Sequence, residues 1–172
     1  MNASTNNLPL TLRTTNSGFT LIELMVTIAV LAIIVGIAAP SISTQLANQR
    51  VKSTTATLAN ALKEAKVESI IRRQNVTVVF NATTHTITLG AVKPSDNSVT
   101  EFSRYTLNES NTVTQRITPS SVTSVVLQPN KLIAGGAEVI YSICDDNSDN
   151  ETPRQVRISS IANIDILESG SC

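Results

Sequence analysis

The first hydrophobic feature of the chain is an apolar run over residues 19–39, in which Glu23 is the only charged side chain. As a helix, a run of this length extends about 31 Å, enough to cross a bilayer core. A secretory signal has a shorter apolar region followed by a small-residue cleavage site, and no such site comes before Pro40. The run therefore predicts a membrane span that is retained.

Beyond Pro40 the pattern changes to one apolar face. Proline removes one backbone hydrogen bond and bends a helix that is otherwise supported. Residues at three- and four-residue spacing then form a stripe, namely Val51, Thr55, Leu58, Leu62, Ala65 and Ser69. The pattern predicts one long, kinked helix over residues 19–73, apolar on every side at first and amphipathic afterwards.

From Val76 the hydrophobic period is two. Residues 76–80 alternate, a polar turn follows at 81–84, and residues 85–89 complete a predicted hairpin. Later strand candidates, separated by segments rich in turn residues, are 99–106, 122–127, 137–144, 154–160 and 163–167. One long helix followed only by strands predicts an α+β domain, with an antiparallel sheet packed on the apolar stripe of the helix.

Composition narrows the possible functions. The chain has 13 basic and 13 acidic side chains, so bulk charge does not favour nucleic-acid binding. Aromatic residues are scarce, and Thr, Ser, Asn, Val and Ile are abundant, which is typical of a secreted β-rich domain. Nucleophile elbows, phosphate loops and paired catalytic acids are absent as motifs. We therefore expect neither an enzyme nor a cofactor.

The start of the apolar run matches a known processing site. Gly18 precedes Phe19, and Glu23 lies four residues after Phe19. Residues 18–24 resemble the prepilin-peptidase site of type IV pilins and type II secretion pseudopilins. The resemblance implies that prepilin peptidase cuts between Gly18 and Phe19 on the cytoplasmic face, that residues 1–18 are a leader peptide, and that Phe19 is N-methylated.

The same resemblance implies a division of the mature chain. Residues 19–46 are the expected transmembrane and filament-core helix, and residues 47–172 are the expected periplasmic head with the pilin fold. The protein is then a single-pass inner-membrane protein that can enter a pilus. Charge counting does not by itself favour this orientation, because Arg13 on one side faces Arg50 and Lys52 on the other. The processing motif decides it.

The acid in the apolar run needs a physical reason, since a carboxylate in hydrocarbon costs about 3 kcal/mol on insertion scales. Cleavage creates an amine at Phe19, and Glu23 of a neighbouring subunit can neutralise that amine in an apolar filament core. The alternative is an acid at the headgroup level without a partner. We expect Glu23 and Pro40 to be the assembly residues of the helix.

The chain has two cysteines, Cys144 inside a predicted strand and Cys172 at the last position. In a periplasmic domain an even pair predicts a disulfide. Two free thiols are the alternative.

Residues 58–79 resemble the GspH, FimT and FimU group of minor pilins and pseudopilins, as do the strand candidates around Tyr141 and Val156. FimT proteins implicated in DNA uptake have a Gly-Arg-x-Arg motif near the C-terminus. The matching stretch here is Ala162, Asn163, Ile164 and Asp165, which lacks both arginines. DNA is therefore an unlikely partner.

Two further clusters have simpler interpretations. Asp145, Asn147 and Asp149 begin like a calcium loop, but the sixth and twelfth positions are Asn150 and Val156 instead of Gly and Glu, which favours a solvated acidic turn. No metal site is predicted. The pair of arginines at 72 and 73 could contact phosphates or lipid headgroups, but at a helix end it is better explained by the helix dipole.

Three functional hypotheses follow. The leading one is a minor pilin whose helix joins those of other minor and major pilins to initiate or assemble a type IV pilus. A second is a DNA-binding minor pilin for natural transformation. A third is a minor pseudopilin of a type II secretion system, which has the same architecture.

Overall fold

The computed structural model describes residues 18–148 and 150–172, and it does not describe the side chains of residues 38–41. The predicted leader before Gly18, Asp149 of the acidic turn and the side chain of Pro40 lie outside the described part. The described residues belong to two compact units, divided between Ala39 and Pro40.

Helix α1 spans Leu21–Arg72, close to the predicted 19–73. It begins after Thr20, whose Oγ1 accepts a hydrogen bond of 3.2 Å from the Glu23 backbone N–H. A threonine at the N-cap with glutamate three residues later has the spacing of a capping box, so the local sequence defines this helix start. The kink predicted at Pro40 concerns the junction of the two units and stays a prediction.

In the first unit, the helix exposes its apolar side chains. Every large apolar side chain from Leu21 to Ile37 is at least half exposed. No single helix in the described part of the chain meets the length and composition requirements of a membrane span, although Leu21–Ile37 and Ile42–Arg72 meet them together as a broken span. Exposed apolar surface of this extent marks contact with lipid or with another protein.

The helix ends in a Schellman motif. The Gln74 N–H donates to the Ser69 carbonyl at 3.2 Å, and the Arg73 N–H donates to the Ile70 carbonyl at 3.3 Å. Arg73 has a φ of 53°, in the left-handed region that usually holds glycine at this position. The helix therefore ends with arginine at a position where the left-handed backbone conformation favours glycine.

In the described part of the chain, eight strands follow the helix. They are β1 Val76–Asn81, β2 Thr86–Val92, β3 Val99–Thr106, β4 Asn111–Thr118, β5 Val125–Leu127, β6 Glu138–Asp145, β7 Arg154–Ile158 and β8 Ile164–Glu168, with a short 3₁₀ helix at Ala134–Gly136. All the strand pairs are antiparallel. The predicted α+β class is confirmed, and the bounds predicted for β3 match the observed ones.

Two features of the sheet differ from the prediction. The strands form two four-stranded sheets instead of one, in the orders β3-β2-β1-β5 and β4-β6-β7-β8. Strand β4 was not among the predicted strands. Its core-facing positions include Asn111 and Gln115, so the apolar alternation that marks a strand is weak there.

The core of the second unit lies between the helix and the two sheets. All six residues of the predicted stripe, from Val51 to Ser69, are buried. Inward-facing residues of both sheets pack in the same cluster, including Val76, Ile87, Tyr141 and Val156. One face of the amphipathic helix therefore packs against both sheets.

Candidate functional site

The predicted processing site lies just before the helix. Gly18 and Phe19 precede the first helical residue, and a Cβ added to Gly18 would have no atom within 4 Å. The side chain of Phe19 is 76% exposed. The peptide bond between these two residues is thus in a non-helical, open segment.

Glu23 lies in the first turn of α1, one turn after Phe19. Its backbone N–H bonds to the N-cap threonine, so its carboxylate is not required to start the helix. The pairing of this carboxylate with an amine of another subunit stays a prediction, as does the role of Pro40.

The second unit has a polar anchor between the helix and the second sheet. The guanidinium of Arg50 donates two hydrogen bonds to the carboxylate of Asp145, from Nε at 2.7 Å and from Nη2 at 2.9 Å. The Asp145 side chain is fully buried, whereas that of Arg50 is 31% exposed. These bonds lower the pKa of the Asp145 carboxyl below its ordinary value, against the opposite effect of burial.

Asn111 of β4 extends this anchor. Its Nδ2 donates to Asp145 Oδ2 at 3.3 Å and to the Cys144 carbonyl at 3.2 Å. Its Oδ1 accepts a hydrogen bond of 2.7 Å from the Thr54 hydroxyl. Helix, β4 and the end of β6 are therefore joined through buried polar groups that are all hydrogen-bonded.

The acidic turn uses its first residue in this anchor. Besides Arg50, Asp145 also accepts a bond of 3.1 Å from the Asn147 N–H. The described residues contain no group of three or more His, Cys, Asp or Glu side chains that could hold a metal ion. Asp145 is thus a structural acid.

The disulfide predicted between Cys144 and Cys172 is present, with Cα atoms 6.1 Å apart. It joins the last residue of the chain to the end of β6. The tail begins with a ladder-like hydrogen bond of 2.9 Å from the Ser169 N–H to the Pro153 carbonyl. The disulfide therefore holds the C-terminus against the second sheet.

The two arginines at the helix end differ in their surroundings. Arg72 forms an ion pair with Glu68 and places its Cζ 4.6 Å from the ring centroid of Phe102. The sequence analysis did not predict this cation–π contact, because no local sequence pattern links a helix end to a residue of β3. Arg73 is exposed.

The stretch that matches the DNA-uptake motif comprises the last residues of the turn between β7 and β8 and the first two residues of β8. Lys66 Nζ donates a bond of 2.6 Å to the carbonyl of Ala162, which is itself buried. Arg157 has acids on either side, Glu138 at 3.6 Å and Asp165 at 3.3 Å. The cation nearest to this stretch on β7 is therefore already neutralised.

Sequence reasoning also missed the anchor formed by Arg50, Asp145 and Asn111. The only signal available was an arginine immediately before Val51 of the apolar stripe, a position close to the core. That signal did not identify the partner, which lies 95 residues further along the chain.

Comparisons with known families and structures agree with this geometry. The model of the prokaryotic N-terminal methylation motif matches residues 13–39. The model of the type II transport protein GspH matches residues 54–162, which is more than half of the chain. No curated protein sequence matches the chain significantly.

Two solved structures have a similar fold. The type IV minor pilin FimU of Pseudomonas aeruginosa strain PAO1 is 16% identical with a TM-score of 0.58, over 72% of this chain and 96% of that one. The minor pseudopilin EpsH from the type 2 secretion system of Vibrio cholerae is 12% identical with a TM-score of 0.58, over 71% of this chain and 99% of that one. Likeness at this level of identity concerns the fold.

Proposed function

The chain belongs to the GspH family of type II transport proteins, and from that premise we propose that it is a minor pilin that initiates assembly of a type IV pilus. At the coarser level it is a minor pilin or pseudopilin, of type IV pili or of type II secretion. The observation that carries the proposal is the N-terminal motif, in which Gly18, Phe19 and Glu23 lie at the start of an exposed apolar helix.

Processing is the first step of the proposed function. Prepilin peptidase cuts between Gly18 and Phe19, and the new amine of Phe19 is methylated. The open surroundings of Gly18 support this proposal, because a protease must bring its own backbone and catalytic groups close to the scissile bond. The non-helical conformation also supports it, since a helical peptide bond is shielded by its neighbouring turns.

Assembly is the second step. Residues 19–46 span the inner membrane and then join the helices of other pilins, with Pro40 bending the helix, and residues 47–172 form the periplasmic head. Glu23 neutralises the Phe19 amine of a neighbouring subunit. The exposed apolar surface of Leu21 to Ile37 supports this step, because both lipid and a bundle of apolar helices would cover it. The work is assembly and involves no catalysis.

A type II secretion pseudopilin is the second candidate. The match to the GspH model and the equal TM-scores to FimU and EpsH favour it as much as the first. DNA capture has no such support, since the motif stretch is held by Lys66 and its nearest arginine is paired with acids.

Mass spectrometry of the protein extracted from membranes tests the processing step. We expect a chain that starts at N-methylated Phe19 in a host with active prepilin peptidase, and an intact precursor in a host without it. A Met1 start in both hosts would contradict the pilin proposal.

Cross-linking in intact membranes separates the two assembly candidates. The mature protein is isolated after cross-linking, and its partners are identified by mass spectrometry. Recovery of type IV pilins would support the first candidate. Recovery of secretion pseudopilins alone would replace it with the second.

A further inference from the structure

The second sheet has two free edges, at β4 and at β8. Its strand order is β4-β6-β7-β8, and within the described residues neither outer strand pairs on its other side. We propose that β8 of one chain pairs antiparallel with β4 of a second copy, so that the sheets of neighbouring head domains become continuous. This inference rests on the proposed function, in which the N-terminal helix anchors every copy in the same membrane.

The backbone groups available at the β8 edge follow from the ladder. In the β7–β8 ladder, the Ser169 N–H donates to the Pro153 carbonyl and the Ser159 N–H donates to the Asn163 carbonyl. Because alternate residues of an antiparallel strand bond to opposite sides, Ile164, Ile166 and Glu168 direct their N–H and C=O groups to the free edge.

The β4 edge presents a matching set. The Asp146 N–H donates to the Ser110 carbonyl at 2.9 Å, so even-numbered residues of β4 bond to β6. Val113, Gln115 and Ile117 then direct their backbone groups outward. On both edges these outward backbone groups belong to residues whose side chains face the core layer, so the two edges can join with their inner faces on the same side.

The direction and the charge of the edge strands favour this pairing over a symmetric one. In a four-stranded antiparallel sheet the first and last strands run in opposite directions. Two copies with the same up–down orientation therefore bring β8 and β4 together antiparallel, as the ladder requires. Pairing β8 with β8 of a second copy is a symmetric, two-fold contact, and it would bring together four acids and no base.

The charges and the exposed apolar side chains at the two edges also support the pairing of β8 with β4. Strand β8 carries two acids and no base, whereas β4 carries Arg116 and no acid. Ile161, Ile166 and Leu167 near the β8 edge are 64%, 44% and 42% exposed, an unusual amount of apolar surface beside a free edge. Centring β8 on β4 places Asp165 opposite Arg116 and Leu167 opposite Thr114, which gives the register.

The contact is small. A five-residue strand pair buries far less than the roughly 1,600 Å² of a standard stable interface. Anchoring in one membrane raises the effective concentration of the two edges, so pairing is expected there. The test therefore uses the full chain in membranes.

The experiment is oxidative cross-linking of the double variant Thr114→Cys with Leu167→Cys. Within one chain these positions are three strand spacings apart, about 14 Å, which is too far for a disulfide. Between paired copies they lie opposite each other. The control replaces Thr114→Cys with Thr118→Cys, which is exposed on the same face but off register by four residues.

We expect the first variant to form a ladder of dimers and larger species, with at least about tenfold more product than the off-register control. A mixture of the two single variants should stop at dimers. Peptide mapping should find positions 114 and 167 linked, with the native disulfide retained. No ladder, equal yields from both variants, or products only with other proteins would overturn the inference.

A proline pair tests the backbone contribution. Ile166→Pro in the double variant removes an edge-facing N–H and should reduce the cross-linked product by at least about tenfold. Leu167→Pro in the unmodified chain removes an N–H that faces β7, and it should destabilise the head itself. Processing at Phe19 is read from the same samples, so a failure of the proposed function is distinguished from a failure of the strand pairing.

Discussion

Arg50 on helix α1 and Asp145 at the end of β6, 95 residues apart in the sequence, form a bidentate ion pair with hydrogen bonds of 2.7 and 2.9 Å. Asp145 follows Cys144 directly, so the ion pair and the disulfide act on adjacent residues. The helix, the second sheet and the C-terminal tail are thereby joined at one place. The stability of the head should depend strongly on this place.

Asp145→Ala should lower the free energy of unfolding by about 2 kcal/mol, because it leaves the donors of Arg50 and Asn111 without a carboxylate. Chemical denaturation of a soluble fragment, residues 45–172, measures it. This fragment keeps the whole core cluster, which runs from Val51 to Ala162. The matched control is Glu101→Ala, which breaks an exposed pair with Arg104 and should have little effect. Equal losses would refute the anchor.

The anchor should also make stability depend on pH. The fold lowers the pKa of Asp145, so the carboxylate contributes fully above its unfolded pKa of about 3.9. That contribution is lost as the pH falls through the lower folded pKa. The stability difference between the wild type and Asp145→Asn should thus be constant near neutral pH and shrink in acid. A difference that grows in acid would contradict the sign.

How far the sequence predicted this fold depends on the range of the interactions. The helix stripe from Val51 to Ser69 was predicted correctly, because its period is local and apolar. The division into two sheets depends on which strands pair, and the local period does not specify that. Strand β4 was missed because Asn111 is buried for its hydrogen bonds and not for its hydrophobicity. Asp145 was not predicted as the partner of Arg50, because it too is buried for its hydrogen bonds and not for its hydrophobicity.

Arg73→Gly should stabilise the head by about 0.5 to 1 kcal/mol, because glycine adopts the left-handed conformation of this position without steric cost. Thermal unfolding of the same fragment measures the change. Arg73→Ala is the matched control, since it removes the same charge but keeps a Cβ. A similar gain from both variants would show that charge, and not backbone conformation, is responsible.

Loss of the disulfide should lower the free energy of unfolding by about 3 to 4 kcal/mol, because the bond closes a long loop in the unfolded chain. The variant is Cys144→Ser with Cys172→Ser, compared by denaturation with the oxidised wild type and with the wild type under reducing conditions. The reduced wild type should match the double variant. A loss below about 1 kcal/mol would indicate that the tail is held mainly by other contacts, such as the bond from Ser169 to Pro153.

Glu23→Gln and Glu23→Ala should separate membrane insertion from assembly. Both variants keep the helix start, because the N-cap bond uses the backbone N–H of residue 23 and the hydroxyl of Thr20. Both should insert at least as well as the wild type, since a charge is removed from the apolar segment.

Assembly should fall in both, because the Phe19 amine of a neighbour loses its counter-charge in an apolar bundle. The measurement is the amount of each variant in the membrane fraction, and the amount that co-isolates with other pilins after cross-linking. Thr27→Val is the control, since its hydroxyl forms a local hydrogen bond, to the Leu24 carbonyl at 2.8 Å. We expect co-isolation to drop at least about tenfold for both Glu23 variants and to stay unchanged for the control. Normal co-isolation of Glu23→Gln would show that assembly does not need this charge.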